Sequence, residues 1–148
     1  MEVIMNDIQL KIEAVLKQKL TNQALIRMYY EIGSMMADFD SKQIKKTEQM
    51  LKEKYGVVIA FTERNFIHMI HFSQYDLDLL PKLENITWKN HLVILKENNL
   101  KLIDICLEYK PTKQELVQYI KNNKELKKHD TIELDDTLEE LLNLQKRV

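Results

Sequence analysis

Phe61-Thr62-Glu63-Arg64-Asn65-Phe66-Ile67-His68-Met69-Ile70-His71-Phe72 is the stretch on which the fold turns. Thr62 precedes an apolar-periodic run, where its hydroxyl can accept a hydrogen bond from a free N–H of the first helical turn. Glu63 puts a carboxylate where the helix dipole favours one. Phe66, Ile67, Met69, Ile70 and Phe72 follow at helical spacing and supply the apolar faces. The pattern predicts a helix over roughly residues 63–74.

Upstream, Val57-Val58-Ile59-Ala60-Phe61 is too short for a helix, leaving an extended buried connection or a small strand. Gly56 before it suits the residue that ends a helix in a left-handed conformation. That helix runs from Ser41 to about Tyr55, with Asp40-Ser41 as cap and Ile44, Met50, Leu51 and Tyr55 as its inner side. Its outward positions are basic: Lys42, Lys45, Lys46, Lys52 and Lys54. Further upstream lie two apolar stripes. The narrow one is Ile4, Ile8, Ile12, Val15, Leu16 and Leu20; the denser one runs from Leu25 through Tyr29, Ile32 and Met36 to Phe39. Either one helix spans about 4–38, or two meet near Thr21-Asn22 with Thr21 capping the second. Gly33 inside the second stripe lowers helix stability relative to Ala, which points to close approach of another helix there. The isolated first stripe suggests packing on a partner subunit, hence a homodimer through the first helices.

Downstream, Asp76 to Leu80 reads as a short apolar turn or helix stopped by Pro81. Thr87 caps a helix packed through Trp88, Leu92, Val93 and Leu95, which Asn98-Asn99 interrupts. Leu100 to about Tyr109 follows, and Pro111-Thr112 starts another helix with Leu116, Val117 and Ile120 inside. Residues 121–129 are polar and basic, a connector. Thr131-Ile132-Glu133-Leu134 alternates like a short strand, and Asp135 or Asp136 opens a last helix through Leu138, Leu141, Leu142 and Leu144. The expected fold is mainly α. It has six to seven helices and is winged-helix-like, with one or two very short strands at 57–61 and 131–134. Residues 1–128 form the helical domain and 129–148 an acidic extension.

Composition narrows the class further. With two Gly and two Pro in 148 residues, a succession of tight β-turns is excluded. Cys106 is the one cysteine and lies among Leu102, Ile103, Ile105 and Leu107, so it reads as a small buried hydrophobe. The opening MEVIMNDIQ lacks the basic start of a signal peptide and no apolar run is long enough for a bilayer, which predicts a soluble cytoplasmic protein without a membrane partner. Net charge is −1 but uneven. Residues 1–41 hold four Lys/Arg against six Asp/Glu, residues 42–128 sixteen against eleven, and residues 129–148 two against six. The basic middle suits a nucleic-acid surface, although exposed helix faces carry charge for solubility alone.

No catalytic constellation stands out. His68 and His71, three apart, amount to half a metal site and lack a further ligand at helical spacing. There is no Gly-rich phosphate loop, Ser–His–Asp set or HExxH. Glu108-Tyr109-Lys110 has the acid-x-Lys form of metal-dependent nucleases, but it ends a helical stretch and no strand carries the Asp such a site needs. The chain is expected to be a binding protein and not an enzyme, without metal or cofactor.

Three segments, in order, resemble the N-terminal domain of the YhcG-like PDDEXK nucleases, a bacterial family. Asn22 with Leu25-Ile26-Arg27-Met28-Tyr29-Tyr30-Glu31-Ile32-Gly33 is similar to its first helix, with Tyr30 where the family often has Trp. Phe61, Arg64, Asn65, Met69 and Phe72 match its FSxRN-type helix, Thr62 standing for Ser and Ala60 for Gly. Ile86-Thr87-Trp88-Lys89-Asn90-His91 resembles its Trp-Ser-His element, with Asn90 at the His position. The likeness covers about residues 10–120 and implies a helical recognition domain that normally precedes a nuclease domain, whose motifs are missing here. It also implies DNA as partner, or docking to a nuclease or restriction-type complex. The helix at 41–55, the turn at Gly56 and the helix after Thr62 would form a helix-turn-helix. Arg64, Asn65 and His68 would face bases, and Lys42, Lys45, Lys46 and Lys52 phosphate. Arg64 and Asn65 have a second reading, hydrogen-bonding to nearby backbone to fix the turn. The rival to DNA is a protein-interaction module of a phage or mobile element that engages a host protein.

Overall fold

Side-chain caps set where the helices begin. Thr21 accepts from Ala24 N, Asp40 from Gln43 N, Thr62 from Asn65 N, Thr87 from Asn90 N, Thr112 from Glu115 N and Asp135 from Thr137 N. Each satisfies a first-turn N–H that has no partner within its helix. In the computed structural model, which describes residues 2–148, the helices are α1 (Glu2–Leu16), α2 (Asn22–Met35), α3 (Ser41–Tyr55), α4 (Glu63–Phe72) and α5 (Leu80–Leu83). They continue with α6 (Trp88–Glu97), α7 (Lys101–Tyr109), α8 (Lys113–Asn122) and α9 (Asp136–Arg147). Two 3₁₀ turns, Ile59–Phe61 and Leu77–Leu79, complete the regular structure of the described residues.

Mainly α holds, but the count is nine helices rather than six or seven, and no strand occurs among the described residues. The first two stripes are separate helices, because Thr21 caps α2 and the chain breaks at 17–21. Pro81 does not stop a helix; it sits in the first turn of α5, where a missing N–H costs nothing. Residues 57–61 turn instead of extending: Phe61 N donates to Val58 O at 3.0 Å, and Val58, Ala60 and Phe61 point inward while Val57 and Ile59 face out. The turn's remaining N–H groups are taken by the Glu140 carboxylate, from Ile59 N at 2.8 Å and Ala60 N at 3.0 Å. Residues 131–134 have no regular structure, with Thr131, Glu133 and Leu134 exposed. A strand needs an open edge to pair with, and only helices surround both segments.

α4 lies at the centre. It runs most extensively against α2 and also touches α3, α6 and the Ile59–Phe61 turn. Gly33 makes the α2 contact possible: a Cβ there would fall 2.5 Å from the carbonyl carbon of Met69, closer still to its oxygen, and 3.0 Å from the Ser73 Cβ. Around this crossing Tyr29, Tyr30, Phe72, Tyr75, Trp88 and His91 form one aromatic cluster, with Tyr29 edge-on to Trp88 at 4.6 Å and Phe72 edge-on to Trp88 at 5.2 Å. Fully burying such a ring contributes on the order of 2 kcal/mol.

Gly56 ends α3 at φ 80° and ψ −167°, so the chain leaves the helix extended rather than in the left-handed helical conformation expected from sequence. Only glycine occupies that region readily. Most of the stripe on α1 is consumed within its own chain: Ile8 and Ile12 are fully buried and Leu16 nearly so, while Ile4 stays exposed. The helix at the end of residues 129–148 packs on the rest of the chain. Leu138, Leu141 and Leu144 of α9 belong to the common core, and Gln145 donates to Leu16 O at 2.7 Å and Gln18 O at 2.6 Å. No helix among the described residues is long and apolar enough to cross a membrane.

Candidate functional site

The helix expected to read DNA is recessed. Its outward stripe, Arg64, His68 and His71, recurs at four and three residues and so occupies one side of α4. That stripe forms a wall of a groove whose opposite wall is α8 and whose floor is α6, the helix that touches both. The groove encloses about 540 Å³. Leu92 and Leu95 from α6, with Val117 and Ile120 from α8, give it an aliphatic lining. Arg64, Lys96, Lys113 and Lys121 surround this strip, against the single acid Glu97. None of the four cations has an acidic partner among the described residues.

Local sequence explains each wall. The Thr112 capping box, in which Glu115 accepts from Thr112 N at 2.9 Å, starts α8 so that Lys113, Val117, Ile120 and Lys121 share a side. Leu116, the one fully buried residue of α8, borders that side and enters the core. Asn90 fixes the distance between floor and wall: its amide donates to Pro111 O at 2.8 Å, tying the start of α6 to the chain entering α8. His68 is partly buried in the groove wall. Burial, then the nearby Arg64 and His71, hold its pKa below the ordinary histidine value, which favours the neutral form.

Of the residues expected to meet nucleic acid, Arg64 and His68 reach the groove, and Lys42, Lys45, Lys46 and Lys52 are exposed on α3. Asn65 does neither. It is buried, its amide donates to Ala60 O at 2.8 Å, and its oxygen accepts from Trp88 Nε1 at 2.8 Å. With both ends of the amide used inside, it pins the Ile59–Phe61 turn to the aromatic cluster and is not available to read a base. The other motif residues are likewise internal. Asn22 donates to Glu84 O at 2.8 Å and Ile86 O at 3.0 Å, holding α2 to the turn before α6. Tyr30 donates to Tyr75 O at 2.6 Å. Phe61, Met69, Phe72 and Trp88 lie in the core with Tyr29 and Gly33.

His91 is fully buried with Nε2 donating to Leu83 O at 2.7 Å, which assigns the proton to Nε2; burial pushes its pKa down to about 4. Cys106 is a buried free thiol whose pKa burial raises to about 12, which removes any thiolate chemistry. No group of three or more His, Cys, Asp or Glu among the described residues is arranged to hold a metal ion.

Sequence reasoning missed Lys96, Lys113 and Lys121; it read Leu92, Leu95, Val117 and Ile120 as packing, and they do pack partly buried against the core while their open sides line the groove. The signal available was slight: α8 has more apolar residues than one buried side needs, with Lys113 and Lys121 two turns apart beside them.

Comparisons with known proteins add no constraint: no family model, curated protein or solved structure matches the chain.

Proposed function

We propose that this chain is a non-catalytic recognition domain that docks a segment of a partner protein in the groove between α4, α6 and α8. The observation that carries the proposal is an aliphatic strip between cationic walls whose charges have no internal partner. Apolar surface left open beside charges is what a docking partner covers. The likeness to the front domain of YhcG-like nucleases supplies the setting we propose, a nuclease or restriction-type complex.

DNA binding is the alternative, favoured by the exposed, unpaired Lys42, Lys45, Lys46 and Lys52 on α3. Two features weigh against it. A recognition helix must protrude to enter a major groove, whereas Arg64, His68 and His71 of α4 line a concavity. Single strands need stacking platforms, and no Phe, Tyr or Trp lines the groove.

A display selection of random peptides on the folded chain tests docking. Expected are clones that bind the chain and lose binding to the Lys96→Glu/Lys113→Glu variant. The proposal fails if no clone depends on the groove. In parallel, fluorescence anisotropy with duplex and single-stranded DNA at two salt concentrations tests the alternative, which requires salt-sensitive binding that Lys45→Glu/Lys46→Glu abolishes.

A further inference from the structure

We infer that the occupant of the α4–α6–α8 groove is an acidic amphipathic α-helix of a partner protein, about two to three turns long. The inference rests on the docking reading and adds the chemistry of the ligand. Length comes first. From Lys113 to Lys121 α8 rises roughly 12 Å, and from Arg64 to His71 α4 rises roughly 10 Å, so each wall spans about two helical turns.

Backbone bonding decides the conformation. All three surfaces of the groove are helices, whose carbonyls and N–H groups are bonded along their own axes. An extended peptide would bury its own backbone groups against side chains, with no strand edge to bond to. A helix arrives with those bonds already made. The lining is Leu92, Leu95, Val117 and Ile120, which suits aliphatic side chains spaced i, i+3 or i+4, and i+7 along one face of the incoming helix.

Charge decides the flanks. Cations stand on every side of the strip, Arg64 on α4, Lys96 on α6 and Lys113 and Lys121 on α8, so carboxylates on both edges of the ligand helix meet partners. His68 sits beside Arg64 and His71 on the same wall, facing Lys96 and Glu97 of α6 and the lysines of α8. A bound carboxylate would favour its protonated form.

The chain's own acidic helix cannot fill this role. In α9 the apolar face is spent in the core through Leu138, Leu141 and Leu144, and the helix is anchored by Glu140 and Gln145. Among the described residues, α1 also exposes apolar side chains beside acids, Glu2 and Asp7: besides the less exposed Ile4, these are Val3 and Leu10. They stand seven residues apart with polar Asn6 and Asp7 between. That leaves the central i+3 or i+4 anchor missing.

The test uses the full chain and a displayed library of random peptides about 16 residues long, roughly 24 Å as a helix. Clones that lose at least about tenfold in affinity on Lys96→Glu/Lys113→Glu are sequenced and remeasured by anisotropy. Circular dichroism of the variant checks that it folds, and the single variant Lys121→Glu repeats the comparison. The expected clones are acidic, carry aliphatic residues at helical spacing, bind roughly tenfold more weakly when a central residue is replaced by Pro, and lose affinity with salt. Groove-dependent clones that are basic or neutral, or that tolerate the Pro, overturn the acidic helix while leaving docking in place. No groove-dependent clone at all overturns both. Concentration-dependent self-association in analytical ultracentrifugation, removed by Leu10→Lys, would make a second copy the occupant and overturn the external partner.

Discussion

Replacing Gly33 by Ala should destabilise this protein, although the same change in an open helix would stabilise it. In a solvent-exposed helix interior, Gly to Ala gains about 1 kcal/mol. At Gly33 the new methyl falls 2.5 Å from the carbonyl carbon of Met69 and 3.0 Å from the Ser73 Cβ, where a relaxed carbon–carbon contact needs about 3.5 Å or more. The obstruction is backbone and cannot swing aside, so α2 and α4 must part by roughly 1 Å. Their contact is the most extensive in the molecule and holds Tyr29, Tyr30 and Phe72 together. Overpacking that moves backbone costs about 3 kcal/mol, at the upper end of its usual range. Less the helical gain, the net loss is about 2 kcal/mol, or roughly 4–8 °C in Tm for a domain of this size. Urea titration followed by far-UV circular dichroism, with calorimetry for Tm, measures it. Ser34→Ala, on the exposed side of the same turn, serves as control. A Gly33→Ala protein as stable as wild type, or more so, would refute the close crossing of α2 and α4.

Other perturbations follow from the same geometry. Asn65→Ala strands Trp88 Nε1 and Ala60 O inside the core and should cost about 2–3 kcal/mol in urea unfolding, while leaving any peptide affinity of the groove in the folded protein unchanged. Gly56→Ala should cost about 1–2 kcal/mol despite open space around the site, because φ of 80° with extended ψ disfavours a side chain; equal urea midpoints would count against it. His91 has a folded pKa of about 4 against 6.5 unfolded, so its neutral form is the one the fold holds. Above pH 6.5 neither state binds the proton; as pH falls toward 4 only the unfolded chain takes it up, and stability drops by up to about 3 kcal/mol. His68, lowered in the same direction, adds to the trend. A urea midpoint flat between pH 7 and 4.5 would contradict this burial.

Where an effect is local, the sequence announced it. Thr21, Thr62, Thr87 and Asp135 were legible as caps because capping joins a side chain to an N–H two or three residues away. Gly33 was legible as a close approach because a glycine inside a strong apolar stripe has a cost that something must offset. Asn65 looked equally fit for a base edge or for the turn beside it, and its decisive partner, Trp88, lies 23 residues on. The 57–61 segment looked extended because its turn is held by Glu140, some eighty residues away, which no local pattern encodes. The groove was least visible. Leu92 and Val117 sit in the same apolar periodicity as core residues, and only the crossing of α6 with α4 and α8 leaves them partly open.

The clasp of Gln145 on the carbonyls of Leu16 and Gln18 makes the order of synthesis matter. The bend between α1 and α2 leaves the ribosome well before its closing partner, which follows 129 residues later for Leu16. Until α9 emerges, the sites for Leu138, Leu141 and Leu144 stand open, and the Ile59–Phe61 turn lacks the carboxylate that caps it. The nascent chain therefore holds an unfinished apolar surface until α9 emerges, and that surface closes in one long-range step. Fragments that stop short of α9 should be a substrate for chaperones and proteases, and should not be smaller working versions of the domain.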